Sequence, residues 1–88
     1  MTERYVTIKN RTGIHARPSS VIAKAAGRFS ASISIINEAE NALINAKSIM
    51  GIISLGAGYN TSLLLRAEGP DEEEAINVIA DIFEQRFE

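Results

Sequence analysis

Two kinds of hydrophobic periodicity follow one another along the 88 residues, and their order limits the fold more than any other feature. Apolar residues alternate with polar ones in RYVTIK (4–9) and ASISII (31–36), which is typical of half-buried strands, and TSLLLRA (61–67) predicts a further strand. Apolar residues recur instead at helical spacing in segments 16–28 and 71–83. The sequence therefore predicts a domain that mixes strands and helices.

The segments between these elements complete the order. The polar run NEAEN (37–41) predicts a reversal into a short strand at 42–45, which forms a hairpin with the strand before it. KSIMGIISLG (47–56) predicts a short helix with Ser48 at its N-cap. The resulting order, β-α-β-β-α-β-α, favours an α+β fold with an antiparallel sheet and helices packed on one face. One domain over 1–88 is expected.

Local signals predict how the helices begin and which side chains they bury. Asp71 is predicted as the N-cap of the last helix, with Glu74 completing a capping box. Asn60 stands in the turn GAGYN and suits a left-handed conformation. The residues predicted to face the core are Val21, Ile22, Ala25, Ala26 and Phe29 in the first helix and Ile76, Ile79, Ala80 and Phe83 in the last.

Composition excludes several classes of function. The chain has no cysteine, so disulfides, thiolate metal sites and thiol redox chemistry are excluded, and with one histidine we expect neither a metal nor a cofactor. No run of 18 apolar residues or basic leader is present, which predicts a cytoplasmic chain that does not enter a membrane. A net charge of −2 and few aromatic residues argue against nucleic acid.

Charge is distributed unevenly along the chain, and the only histidine lies in the basic part. Residues 1–28 carry six basic side chains and one acidic one, whereas residues 29–88 carry three basic and ten acidic ones. This asymmetry favours an anionic substrate or an acidic partner near His15.

The segment TGIHARPSS (12–20) places His15 at the start of the first helix. A proline is tolerated only in a first helical turn, so Pro18 marks the start of the helix. The unpaired backbone N–H groups of this turn, the helix dipole and Arg17 therefore form a site that prefers phosphate. We expect Ala16, Arg17 and Pro18 to bind the phosphoryl group and neutral His15 to be the nucleophile, with Arg17 as its catalytic partner. From these residues alone, a capping or solvated histidine remains an alternative.

The motifs GIHARPSS and KSIMGIISLG together resemble those of the HPr family, the histidine-containing phosphocarriers of the bacterial phosphotransferase system (PTS). The resemblance covers essentially the whole chain. It implies an open-faced β-sandwich of four antiparallel strands with three helices on one side. It also implies that Enzyme I phosphorylates His15 with phosphoenolpyruvate, that IIA proteins or domains receive the group, and that the chain is a monomeric carrier rather than an enzyme.

The resemblance also gives roles to further residues. It implies that Ser48 is phosphorylated by an HPr kinase/phosphorylase to regulate carbon catabolism, with a transcriptional regulator as a further partner, although helix capping alone would also explain this serine. We expect five residues to bind partners: Thr12, Ser20, Ile49, Met50 and Gly51. Ile49 and Met50 are predicted to be partly exposed, with burial in the core as the alternative.

Three features depart from the family pattern. The separation between His15 and Ser48 is slightly longer than usual, which we assign to NEAEN, while Asn60 replaces a common glycine and Tyr59 alters the same turn. Because His15 is present, the chain is not one of the relatives that keep only the regulatory serine.

Other functions stay open at this point. The carrier could serve a regulatory, nitrogen-type relay instead of sugar uptake, or the site could belong to a non-catalytic anion-binding or protein-binding module. An RNA-binding domain would need exposed aromatic residues on its sheet; Tyr5 is one candidate, too few for a stacking platform.

Overall fold

The computed structural model describes residues 1–9 and 16–84, with Ala16 described by its backbone alone. The elements, in chain order, are β1 (Thr2–Thr7), α1 (Ala16–Ala26), β2 (Ser32–Asn37), a 3-10 turn (Glu38–Glu40), β3 (Ala42–Asn45), α2 (Ile49–Ser54), β4 (Ser62–Glu68) and α3 (Glu72–Phe83). This order confirms the predicted β-α-β-β-α-β-α arrangement.

The four strands form one antiparallel sheet in the order β1-β4-β2-β3. β4 and β2 are therefore central, while β1 and β3 form the two edges. The helices cover one face of this sheet: α3 packs on β1 and β4, α2 packs against β3, and α1 packs on α2 and α3. The predicted open-faced β-sandwich with three helices on one side is confirmed.

The inner face of the sheet and the helices enclose one hydrophobic core. Alternation directs Val6, Ile33, Ile35, Leu63 and Leu65 inward, and all five are buried. On the helical side the core includes the residues predicted for α3, namely Ile76, Ile79, Ala80 and Phe83. The inward stripe of α3 is thus confirmed.

A row of four larger side chains crosses the opposite, open face of the sheet. Strand register aligns Tyr5, Leu64, Ile36 and Leu43 on β1, β4, β2 and β3 in turn. Leu64 in the middle is buried, whereas Tyr5 and Leu43 on the edge strands are 60% and 59% exposed. The open face therefore combines a covered centre with solvated edges, as is common for an antiparallel sheet with helices on one side only.

Several predicted boundaries are shifted by one to three residues. β1 begins at Thr2 rather than Arg4, and α1 ends at Ala26 rather than Arg28 because Gly27 follows it. α2 spans only Ile49–Ser54, within the predicted segment 47–56. Asn60 has the predicted left-handed conformation, with φ at 70°, and Asn41 in the NEAEN turn adopts it as well.

The prediction that Val21 faces the core is wrong. Val21 is exposed, whereas Ile22, Ala25 and Ala26 are buried as predicted. Val21 lies four residues after Arg17 and three before Lys24, and both of these side chains are exposed, so all three share the outer face of α1.

The capping box predicted at the start of α3 is also wrong. Asp71 is the N-cap residue, as expected, but its carboxylate makes no cap hydrogen bond. Both of its oxygens instead accept backbone N–H groups, from Ser30 and Ala31, at 2.9 Å each. The side chain of Asp71 thus connects the two residues before β2 to the start of α3.

Candidate functional site

His15 and Thr12 lie outside the described residues. Their predicted roles as phosphoryl acceptor and partner contact therefore remain predictions. The structure does place the chain immediately after His15, because α1 begins at Ala16. The proposed nucleophile is in this way adjacent in sequence to the first turn of a helix of 11 residues.

The first turn of α1 presents Arg17 to solvent and buries Pro18. A proline fits here because the N–H groups of a first turn have no acceptor within the helix. No acidic residue occupies this turn, so no carboxylate of the helix itself competes for its N–H groups or for Arg17. The predicted position of Pro18 is confirmed, and the arrangement is favourable for an anion.

Ser19 is a buried polar residue of the same turn that the sequence did not single out. Its side chain is fully buried, and its hydroxyl oxygen has no hydrogen-bond partner. Ser20, which was predicted to contact partners, is exposed instead. The two neighbouring serines therefore face opposite environments, a difference that helical geometry produces but residue type does not indicate.

The outer face of α1 is basic with an apolar centre. Arg17, Ser20, Val21 and Lys24 are all exposed along it. Since α1 packs on α2, the helix that carries this face lies beside the helix that carries the second predicted motif. Val21 is the member that sequence reasoning missed, and the exposed charges spaced around it were the signal available.

Ser48 caps α2, as predicted. Its hydroxyl oxygen accepts a hydrogen bond from the Gly51 N–H at 3.0 Å, and its carbonyl accepts the Ile52 N–H at 3.0 Å. A Cβ atom on Gly51 would lie 3.2 Å from the Ser48 hydroxyl oxygen, so glycine leaves room for this cap. The Ser48 hydroxyl thus lies at the N-terminus of α2, where a negative charge is favourable.

The two residues after Ser48 expose apolar side chains. Ile49 is 44% exposed and Met50 is 72% exposed, while Ile52 on the other side of the helix is fully buried. The prediction of partial exposure is confirmed, and the alternative of plain core is wrong for both. Exposed apolar side chains on a short helix are typical of a protein-binding surface, and flexible Met suits varied partners.

Lys47 supports the approach to α2. Its ammonium group donates to the carbonyl oxygen of Phe29 at 2.9 Å, and its backbone N–H donates to the Asn45 side chain at 2.9 Å. Backbone hydrogen bonds from Ser30 and Ala31 hold the pKa of Asp71 below its usual value, and Lys47 adds to this effect. This motif residue therefore has a structural role in addition to any contact with partners.

Tyr5 on the open face does not form a platform for RNA bases. Its hydroxyl donates to the Glu38 carboxylate at 2.9 Å, and this hydrogen bond raises the pKa of Tyr5. A carboxylate beside the only exposed aromatic side chain of β1 repels phosphates. The RNA-binding alternative therefore loses the candidate residue that it had on β1.

Neither a metal site nor a membrane-spanning helix is found among the described residues. No group of three or more His, Cys, Asp or Glu residues in the described part of the chain is arranged to hold a metal ion. Within the same ranges, no helix has the length and apolar character needed to cross a membrane.

Comparison with known proteins supports the resemblance over nearly the full length. A family model described as the PTS HPr component phosphorylation site matches residues 2–85. The phosphocarrier protein HPr of Treponema pallidum is 41% identical over 88 residues, covering 100% of this chain and 98% of the relative. The crystal structure of HPr-C-His from Thermoanaerobacter tengcongensis superposes with a TM-score of 0.88 at 46% identity, covering 96% of this chain and 92% of the other.

A further similar structure was described as a dimer. The crystal structure of Crh, a catabolite repression protein of Bacillus subtilis described as a domain-swapped dimer, has a TM-score of 0.74 at 34% identity. The superposition covers 94% of this chain and 93% of Crh.

Proposed function

This chain belongs to the PTS HPr family of phosphocarriers, and from that premise we propose that His15 accepts a phosphoryl group from phosphorylated Enzyme I and passes it to IIA proteins or domains. The observation that supports the proposal best is the first turn of α1. It follows His15 directly, exposes Arg17 and carries no acidic side chain.

The proposed reaction is a direct exchange of one bond for another. An unprotonated ring nitrogen of His15 attacks phosphorus, and the nitrogen–phosphorus bond forms as the bond between phosphorus and Enzyme I breaks. The N–H groups at the start of α1 and the Arg17 guanidinium stabilise the phosphoryl oxygens. A nucleophile on the IIA partner then takes phosphorus, and His15 leaves with its electron pair. Enzyme I consumes phosphoenolpyruvate, so this chain is a covalent carrier rather than an enzyme.

The same proposal assigns the docking surface to the exposed sides of α1 and α2. Lys24 and Arg17 surround Val21 on α1, while Ile49 and Met50 project from α2. Such a surface fits a partner with an apolar patch bordered by acidic side chains. Ser20 lies within the surface, and Gly51 acts indirectly by allowing the N-terminal turn of α2 to close on Ser48.

The first prediction concerns His15 itself. After incubation with phosphoenolpyruvate, magnesium and Enzyme I of the same organism, we expect the intact mass of the chain to rise by one phosphoryl group. Mild acid should remove the group, and a folded His15→Ala variant should not gain it. If the organism's own Enzyme I adds no mass, the result would instead support a non-catalytic anion-binding module. If only a paralogous Enzyme I adds the group, the carrier would belong to a regulatory, nitrogen-type relay.

The second prediction concerns Arg17. We expect Arg17→Ala to slow phosphorylation of His15 about 100-fold, because a donor to the transferring oxygens is lost. Arg28→Ala is the matched control, since Arg28 is an exposed base just beyond the other end of α1. Equal rates for the two variants, measured by rapid quench, would show that Arg17 acts only through general charge.

We also propose that phosphorylation of Ser48 regulates the carrier. A phosphate on the Ser48 oxygen would lie beside the Gly51 N–H, at an N-terminus that stabilises negative charge, and would repel acidic partners from α2. An HPr kinase/phosphorylase would add it, and a regulator of carbon catabolism would read it.

The third prediction tests this regulatory role. Ser48→Asp should raise the KM of Enzyme I for the carrier about tenfold while kcat stays nearly constant, because docking weakens and chemistry does not. Ser54→Asp places the same charge at the opposite end of α2 and should have a smaller effect. Unchanged kinetics in Ser48→Asp would restrict Ser48 to its capping role.

Finally, we propose that the carrier works as a monomer in the cytoplasm. One copy carries the basic face of α1 and the apolar residues of α2 on adjoining helices, so a partner can contact both without a second copy. Light scattering should give the mass of one chain. A dimer at low micromolar concentration would contradict this proposal.

A further inference from the structure

A cleft of about 410 Å³ lies at the C-terminal end of α2, at the opposite end of this helix from Ser48. One side is formed by the end of β2 and the 3-10 turn, through Asn37 and Glu40. The other side is formed by the end of α2 and the turn after it, through Ser54, Gly56 and Gly58. The cleft is thus bounded by the NEAEN segment, where the spacing departs from that of the family.

One buried residue beside this cleft, Asn37, has a side-chain oxygen without a partner. Asn37 is only 4% exposed, and its side-chain oxygen forms no hydrogen bond. An amide oxygen removed from water without a donor is unfavourable, so such atoms are rare in folded proteins and require an explanation. The register of β2 fixes this position, since Asn37 pairs with Ala42 at the hairpin end and alternation directs its side chain to the inner side.

The charges around the cleft favour a cation. Glu40 is the ionisable residue among the described residues that line it, and no lysine or arginine is among them. The last turn of α2, which borders the cleft, contains no basic residue to offset the partial negative charge of its carbonyl groups. A ligand that satisfies the Asn37 oxygen must donate a hydrogen bond, and one that complements Glu40 must be positive.

The cleft is also open enough to admit such a group. Added Cβ atoms on Gly56 and Gly58 would meet no atom within 4 Å, so side-chain volume is missing on this side. Gly56 has φ at 60°, a conformation that favours glycine.

We propose that this cleft binds a guanidinium or ammonium group, which donates to the Asn37 side-chain oxygen and pairs with Glu40. The group belongs either to a small organic amine or to a basic side chain of a partner protein. This site is separate from the phosphoryl-transfer residues, so it does not depend on phosphorylation of His15 or Ser48.

The test uses the unphosphorylated full chain labelled with ¹⁵N. Agmatine represents the small amine, and the peptide acetyl-Ala-Arg-Ala-amide represents the partner side chain. We expect both to shift the Asn37 side-chain amide and the backbone amides of Gly56 and Gly58 in a saturable way at constant ionic strength. The matched peptide with citrulline, which keeps the shape but lacks the charge, should not. The probe that saturates at lower concentration identifies the source.

Variants decide whether the named residues hold the cation. Glu40→Gln should weaken binding about tenfold through loss of a charge-assisted contact, and Asn37→Leu should abolish it. Glu38→Gln is the matched control, because Glu38 belongs to the same turn but bonds to Tyr5 and does not line the cleft. If Asn37→Leu fails to fold, Gly58→Ala, which adds a methyl group at the cleft wall, should weaken binding instead.

Three results would overturn the proposal. Shifts that never saturate, or that sodium chloride reproduces, would show that only ionic strength acts on the cleft. Equal weakening by Glu38→Gln and Glu40→Gln would assign the effect to net charge. Full binding to Asn37→Leu would leave the unpartnered oxygen unrelated to any ligand.

Discussion

At the scale of single residues, acidic side chains at the start of α3 illustrate how tertiary contacts replace local ones. The sequence predicted reciprocal capping between Asp71 and Glu74. In the structure Asp71 accepts N–H groups from Ser30 and Ala31, and Glu72 accepts the Thr2 hydroxyl at 2.6 Å and the Gly69 N–H at 3.2 Å. Both carboxylates therefore connect α3 to segments that are distant in sequence.

The fourth prediction follows from the protonation of Glu72. Its hydrogen bond from the Thr2 hydroxyl, the contact with the Met1 amino group and the bond from the Gly69 N–H lower the pKa of Glu72 from 4.5 to about 2. Between these values the unfolded chain binds the proton and the folded chain does not, so the contribution of Glu72 to stability is fully present above pH 4.5 and is lost as pH falls towards 2.

Thermal unfolding measured across this pH range checks the effect. We expect the melting temperature of the natural sequence to fall steeply on acidification and that of Glu72→Gln to fall less steeply. Glu73→Gln is the matched control, because Glu73 occupies the same turn of α3. If the melting temperatures of all three proteins fell equally with pH, the role given to Glu72 would be contradicted.

At the scale of elements, local signals located the helices better than they located their ends and faces. The N-cap serine of α2 and the stripe of α3 were recognisable because both depend on neighbours within a few residues. Val21 was misassigned because its apolar character suits either side of α1. Only the packing of α1 on α2 and α3 determines which side is covered.

The fifth prediction concerns the connection between β4 and α3. Gly69 has φ at 152°, and a Cβ atom there would lie 2.6 Å from the Cα atom of Ala31. Gly69→Ala should therefore destabilise the fold by about 2 kcal/mol or more, since backbone strain adds to a steric clash. Gly58→Ala is the control, because its added methyl group meets no atom within 4 Å. Denaturant unfolding that gives equal stabilities would show that this turn readjusts freely.

At the scale of the whole molecule, the sheet separates a packed face from an open one. Leu65 on the inner face of β4 is fully buried, whereas Leu43 on the outer face of the β3 edge is 59% exposed. Identical side chains thus differ in their contribution to stability, because only the helices cover the inner face. This separation leaves the outer helical surface, rather than the sheet, for the proposed contacts with Enzyme I and IIA.

Features that depend on near neighbours in the sequence could be predicted, and features that depend on distant segments could not. The order of the elements, the burial of Val6 and Ile33, and the capping by Ser48 were all predictable, because hydrophobic period and cap preference act over a few neighbours. The motifs around His15 and Ser48 indicated the family through their resemblance to its signatures, and the family comparison confirms it. The partners of Asp71 and Glu72, the exposure of Val21 and the cleft around Asn37 were decided by the tertiary structure. Each of them depends on segments that are distant in the chain and meet only when the sheet and helices pack together.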